Sequence, residues 1–362
     1  MPLPDVLFEG QITWKWLAKS TNRPVFGATR NDGATFVIKY ESKNSSPGSP
    51  TYSSAAVGQA EFRRSFLVMA HLHELVANYK HPYGGPAVQF PEHSLLKEIG
   101  ITRFKKSLKS NKEASQFLND YLTTIKDWCP FFMAMELVTN LKELDTRDVD
   151  DLDKWKRERR GLLGDLSFYC LGKIAAVDLF LGNTDRFVPN SGHTINNMGN
   201  IFFSGVSGAD AYSVGLDFFD PYSQWMNLYA DRTVAEHEKK VSNANYPGGF
   251  FQASGTDTLQ FAERVITKVC DEVAATPDDQ TKALYASKFV EGYTDGKEAI
   301  QHAVSNESEQ WFGKRYVVGR GRFEDSYPAY QLWLRADYLG WLAPGELLKK
   351  VPALKKKMSA YA

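Results

Sequence analysis

Leu181-Gly182-Asn183-Thr184-Asp185-Arg186, followed by Asn196-Asn197-Met198-Gly199-Asn200-Ile201-Phe202-Phe203 and then by Gly215-Leu216-Asp217-Phe218-Phe219-Asp220, is the stretch on which the reading of the fold turns. Each polar cluster is set directly against apolar sequence, where an unpaired charge is costly. Taken singly, each has a plain structural explanation: Asn-x-Asp-Arg as a turn or helix cap, and an Asp at a strand end as the start of a turn. Their setting raises them. A helix expected from about Gly161 to Phe180, with Leu163, Leu166, Cys170, Ile174 and Val177 on one side, delivers the chain to Asp185. Ile201 to Phe203 and Ala211 to Gly215 read as a hairpin around Ser204 to Asp210, so that Asn200 opens the hairpin and Asp217 closes it.

Working back towards the N-terminus, Phe131 to Val138 is a nearly continuous apolar run of strand length that Thr139-Asn140 ends, which predicts a buried central strand. Gln11 to Leu17, Arg23 to Arg30 and Thr35 to Tyr40 are three further strands. The last two are joined by Asn31-Asp32-Gly33, residues that tolerate the positive φ of a tight hairpin. Ala18 to Asn22 is a short polar loop, Ser42 to Ser54 a Ser/Pro/Gly-rich surface loop, and Pro86 to Phe90 a candidate strand. A long helix is expected over about Ser54 to Tyr79, striped by Phe62, Phe66, Met69, Leu72 and Val76. Lys97 to Lys112 is basic and amphipathic and is assigned to a solvated face. From about Thr233 the pattern is mainly helical, with turns at Ser254-Gly255-Thr256 and Gly319 to Phe323, and a basic tail over Lys349 to Lys357 read as a solvated face. His71-x-His73 falls on the long helix, where residues two apart face different ways, so it makes a poor metal pair.

Order decides between the plain explanations and a shared one. Lys39 at the end of the third strand, Asp185 in a loop after a helix, Asn200 opening a hairpin and Asp217 closing it follow one another as phosphoryl transfer from ATP requires. An ammonium neutralises phosphate oxygens; an amide oxygen and a carboxylate hold magnesium, a hard cation; a second Asp orients or deprotonates the attacking hydroxyl. Chance supplies any one of these residues readily, but not all of them on matching elements. A lone Lys39 would be an edge lysine reaching water.

Asn183-x-Asp185-Arg186, Gly199-Asn200-Ile201 and Leu216-Asp217-Phe218 resemble the catalytic and metal motifs of atypical kinases, and are most similar to those of the actin-fragmin kinase catalytic domain; phosphatidylinositol kinases share the motif style more distantly. The resemblance covers about Ile12 to Tyr222. It implies an α+β, two-lobed protein kinase-like fold. Residues 1–139 would form a small lobe of antiparallel sheet with one long helix, and residues 140–362 a larger, mainly helical lobe. It implies that Lys39 contacts the ATP phosphates, and that Glu61 pairs with Lys39 from the long helix, with Glu74 as competitor. It further implies that Asp185 is the catalytic Asp, and that Asn200 and Asp217 ligate magnesium or manganese. Glu136 and Val138 lie in the strand-to-linker segment whose backbone would bond adenine.

Departures from the pattern matter as much. Conventional protein kinases separate the catalytic Asp from the metal-binding Asn by four residues, whereas fourteen lie between Asp185 and Asn200. The insert offers Asn190, Asn196 and Asn197 as rival ligands, and Asn200 is preferred because it alone directly precedes an apolar strand. Ser20-Thr21-Asn22 replaces a glycine-rich phosphate loop, leaving Ser20 and Thr21 to hold phosphates through hydroxyls and amides. Asp217 is followed by Phe218-Phe219 and no Ala-Pro-Glu, which argues against a phosphorylated activation loop.

The 362 residues suit two lobes or one large domain, long enough to bury a core without staples. Basic and acidic residues number 43 each, a zero net charge that lacks the electrostatic footprint of a nucleic-acid binder. Cys129, Cys170 and Cys270 are far apart and read as reduced core thiols. With no basic-then-apolar leader and no run of ~18 apolar residues, a cytoplasmic protein without a transmembrane segment is expected. The expected activity is therefore ATP- and magnesium-dependent phosphorylation, with a protein Ser/Thr hydroxyl as acceptor and actin or an actin-associated protein as partner on the resemblance alone. The alternatives are a kinase-fold enzyme acting on a lipid or small molecule or transferring AMP, and a non-catalytic ATP-binding interaction module. Oligomeric state is left open.

Overall fold

The computed structural model describes residues 7–17, 24–41, 72–79, 93–95, 98–125, 131–138, 140–145, 149–181, 186–189, 194–206, 208–216 and 255–306. The chain divides into two compact units, one made of residues 1–63 and 91–139 and the other of residues 64–90 and 140–362. Among the described residues the first is an antiparallel sheet with two helices and the second is mainly helical, which agrees with the α+β class expected from the sequence.

The first unit contains β1 (Ile12–Trp16), β2 (Val25–Arg30), β3 (Thr35–Glu41), β4 (His93–Leu95), α1 (Glu98–Leu108), α2 (Lys112–Ile125) and β5 (Phe131–Glu136). The strands form a five-stranded sheet in the order β1-β2-β3-β5-β4, antiparallel throughout. Asn31-Asp32-Gly33 turns β2 into β3 as expected. Gly33 has φ 84°, Gly33 N donates to Arg30 O at 3.0 Å, and Asp32 Oδ1 accepts from Ala34 N at 3.2 Å. The period-two rule puts Phe36, Ile38 and Tyr40 on one face with Trp14, Phe26, Ala28, Phe132 and Ala134, all buried. The apolar run at Phe131 is an interior strand, flanked by β3 and β4.

Phe104 corrects the placing of the basic segment on a solvated face. The helix α1 does expose Arg103, Lys105 and Lys106, but Phe104 is fully buried. Its ring lies 5.4 Å from Trp14, 5.2 Å from Phe132, 6.0 Å from Phe26 and 6.0 Å from Phe8. Ser107 Oγ accepts from Trp14 Nε1 at 3.0 Å, and Asn111 Nδ2 donates to Trp14 O at 3.2 Å, which pins the α1–α2 turn to β1.

The second unit contains β6 (Lys142–Glu143), α3 (Leu152–Arg160), α4 (Asp165–Leu181), a 3-10 turn (Met198–Asn200), β7 (Phe202–Ser204), β8 (Tyr212–Val214), α5 (Gly255–Glu272) and α6 (Asp279–Asn306). The hairpin read around Ser204 to Asp210 is β7–β8, and β6 pairs to β7 to complete a three-stranded sheet. Gly255, read as part of a turn, instead begins α5.

The helix before the Asp185 loop begins at Asp165 and is not one-sided. Residues 166–180 are buried all round, because α6 and β8 lie against it and residues 72–79 reach it as well. Close approach to α6 needs glycine: a Cβ on Gly292 would stand 1.9 Å from Tyr169 O, and one on Gly172 2.1 Å from Phe289 O.

Ser42 to Ser54, Pro86 to Phe90, Gly319 to Phe323 and the basic tail lie outside the described residues. Of the expected long helix, residues 72–78 are described and are helical.

Candidate functional site

α4 carries three polar groups through an apolar interior, and each has a partner, as burial demands. Ser167 Oγ donates to the carbonyl of Leu162 or Ala211, at 2.6 and 3.0 Å, and Ser213 Oγ donates to Ser167 O at 2.7 Å. Lys173 Nζ donates to Val76 O at 3.2 Å and also to Tyr79 O, and lies 5.3 Å from the Tyr169 ring. Burial pushes its pKa down. The neighbouring Cys170 thiol is pushed up to about 12, chiefly by burial, which makes it an inert core thiol.

The third group is Asp178, and it leads to the motifs. Arg186 Nη1 donates to Asp178 Oδ2 at 2.5 Å, with the two side chains 1% and 0% exposed. The same guanidinium donates through Nε to Asn200 O at 2.7 Å and through Nη2 to Leu216 O. A planar fork with its donors in fixed directions can fasten three chain segments at once, which a lysine could not. Arg186 follows Asp185, Asn200 is itself a candidate ligand, and Leu216 precedes Asp217. One buried side chain therefore gathers the ends of all three motifs read from the sequence.

Asn200 closes the 3-10 turn and is buried, two residues before β7. Its rivals differ in placement. Asn197 Oδ1 accepts from Gly199 N at 3.1 Å as the cap of that turn, and Asn196 is exposed. Asn190 lies outside the described residues.

In the first unit, Lys39 is half-buried on the sheet face opposite the aromatic core, paired in register with Val25 on β2 and Met133 on β5. Glu136, the last residue of β5, is exposed, and Val138 just beyond it is buried. Glu74, the rival partner for Lys39, is exposed on the helical residues 72–78, and His73 beside it is buried. Ser20, Thr21, Glu61, Asp185 and Asp217 lie outside the described residues.

Sequence reasoning quoted Arg186 without giving it a task and passed over Asp178. A lone carboxylate within Ile174-Ala-Ala-Val-Asp178-Leu-Phe was the available signal, since a charge in an apolar helix demands a partner.

The candidate ligands read from the sequence would all offer oxygens: the Asn200 amide and the carboxylates of Asp185 and Asp217, the last two outside the described residues. Hard oxygen donors suit magnesium and not a soft metal. Among the described residues no group of three or more His, Cys, Asp or Glu is placed to hold a metal. Nor is any described helix long and apolar enough to cross a membrane.

No family model and no curated protein sequence matches the chain. Among solved structures, a MAP kinase from Leishmania major aligns over 92% of this chain and 94% of its own length, at 12% identity and a TM-score of 0.28.

Proposed function

We propose that this chain is an ATP- and magnesium-dependent phosphotransferase that phosphorylates serine or threonine hydroxyls of a protein substrate. The observation that carries the reading is the buried Arg186 guanidinium, which ties together the chain next to Asp185, Asn200 itself and the residue before Asp217. A pair buried this deeply costs desolvation, and replacement by apolar residues is often neutral or stabilising. Its presence fits a site that must hold these three segments in one place.

In this reading Asp185 takes or orients the proton of the acceptor hydroxyl, and Asn200 and Asp217 offer oxygens to the cation. Lys39, with Glu61 or Glu74 as its partner, meets phosphate oxygens. Ser20 and Thr21 hold the phosphates by hydroxyls and amides, while the backbone of Glu136 and Val138 bonds the base. Bound ATP supplies the phosphoryl group, and the cation neutralises its charge. A protein acceptor, with actin or an actin-associated protein as the first to try, and a cytoplasmic setting belong to the same proposal.

The test is incubation of the full chain with labelled ATP, magnesium and a cell lysate, beside an Asp217→Ala variant. Label should enter a protein only with the unsubstituted chain, and intact mass should show a phosphoryl adduct. A nucleotidyl adduct would transfer the chemistry to AMP, and equal labelling by the variant would remove Asp217 from the site.

A further inference from the structure

The chain between Asp185 and Asn200 folds back on itself. Asn196 N donates to Arg186 O at 3.0 Å, Val188 N donates to Thr194 O at 3.0 Å, and Phe187 and Ile195 form an antiparallel bridge. These contacts close a short ribbon on the Arg186 side of the motif. With residues 187–195 set aside, only Arg186, Asn196, Asn197, Met198 and Gly199 would separate Asp185 from Asn200. The long spacing is thus a closed excursion whose two ends meet beside Arg186.

Something must hold that excursion in place, and it comes from the region beyond every motif. Phe187 is fully buried, with its ring 6.0 Å from Phe261 on α5 and 6.5 Å from Phe289 on α6, both edge-on. Further out along the ribbon, Arg264 of α5 reaches both of its strands. Arg264 Nε donates to Thr194 Oγ1 at 3.2 Å, and Nη2 donates to Pro189 O at 2.6 Å. Phe261 and Arg264 are neighbours one turn apart on α5, the first buried and the second at the exposed edge of that face. The apolar contact seats the base of the ribbon; the guanidinium fork fixes its rotation by gripping two strands at two points.

We propose that Arg264 is a positioning residue for phosphoryl transfer: by clamping Pro189 and Thr194 it holds the ribbon that sets Arg186, and through Arg186 the backbone at Asn200. The inference rests on the phosphotransferase reading and gives the region after the last motif a task in it. Arg264 is exposed and contributes nothing to the core face of α5, which is made by Phe261, Val265, Ile266 and Val269. Its truncation should therefore leave the fold intact.

The experiment compares the full chain with Arg264→Ala, Arg264→Lys and, as control on the same helix, Lys268→Ala. Hydrogen exchange is read at the amides of Val188 and Asn196, and ADP release from ATP and magnesium is read in parallel. Loss of a two-point charged clamp predicts exchange at those amides faster by about ten-fold in Arg264→Ala, and kcat lower by about ten-fold with KM for ATP within about two-fold. Arg264→Lys should fall between, since an ammonium lacks the fork, and Lys268→Ala should match the unsubstituted chain. Unchanged exchange at Val188 and Asn196 overturns the clamp whether or not the chain releases ADP. Faster exchange with unchanged kcat overturns its service to catalysis. An unsubstituted chain that releases no ADP while Arg264→Ala loosens the ribbon sinks the phosphotransferase reading and leaves the clamp itself standing.

Discussion

Phe104 and Arg186 are both side chains of the deepest interior, and the cores around them are made differently. Phe104 has aromatic rings about it, from Phe8, Trp14, Phe26 and Phe132, within a cluster of buried apolar residues. Arg186 faces a carboxylate and two backbone carbonyls, a short distance along the chain from a helix that also buries Lys173, Ser167 and Asp178. Burial of apolar area is non-directional and tolerates rearrangement, whereas a buried guanidinium accepts few geometries. The sheet unit is therefore a packed platform for Lys39. The helical unit carries a rigid polar junction, and rigidity of that kind is what a catalytic constellation needs.

Two truncations of similar size break the comparison open. Phe104→Ala should cost about 3–5 kcal/mol by leaving a cavity, and Asp178→Ala about 3–5 kcal/mol by stranding the buried Arg186 charge. The two differ in their rescue. Replacing the pair together, Arg186→Met with Asp178→Leu, should recover most of the lost stability in denaturant melts while phosphoryl transfer stays lost. A double variant as unstable as Asp178→Ala would mean that the junction is structural and nothing more.

Smaller losses sharpen the contrast. Gly292→Ala puts a methyl against the Tyr169 carbonyl, 1.9 Å from its oxygen, and should cost about 1–3 kcal/mol, or more if α4 and α6 cannot part. A melt unchanged by this variant would show that α4 and α6 do not meet as described.

The smallest effect belongs to the sheet unit. The backbone N–H of Ala34, followed by Arg30, holds the Asp32 carboxyl below its usual range. A carboxylate with a depressed folded-state pKa stabilises above the unfolded value and loses that contribution as pH falls through the folded one. Asp32→Ala should therefore lower Tm slightly at pH 7, and by less at a pH below the folded-state pKa of Asp32, where the unsubstituted chain has itself lost the effect. An equal deficit at both pH values would assign Asp32 a steric role only.

Much of the sheet unit was legible because its signals are local. Asn31-Asp32-Gly33 specifies its own turn, alternation specifies faces, and an apolar run between polar ends specifies an interior strand. The β7–β8 hairpin was legible for the same reason. The segment around Phe104 was legible as amphipathic, with Ile101, Phe104 and Leu108 at helical spacing, but the strand residues that Phe104 meets lie far along the chain and no local pattern names them. β6 has two residues and exists only by pairing with β7, so no pattern in its own sequence announces it. The all-round burial of α4 depends on residues far along the chain. The candidate ligands were readable by type and order, but the junction was not: Arg186 binds two backbone carbonyls, and a carbonyl has no sequence signature.

Transfer of labelled phosphate from ATP in the presence of magnesium, measured for the unsubstituted chain and for Asp185→Ala, tests the central claim most directly. The account predicts transfer by the first and a fall of roughly 100-fold or more in the second, the scale of losing a general base. Equal rates in the two would contradict it, because a junction that gathers the three motifs would then be gathering them for something other than phosphoryl transfer.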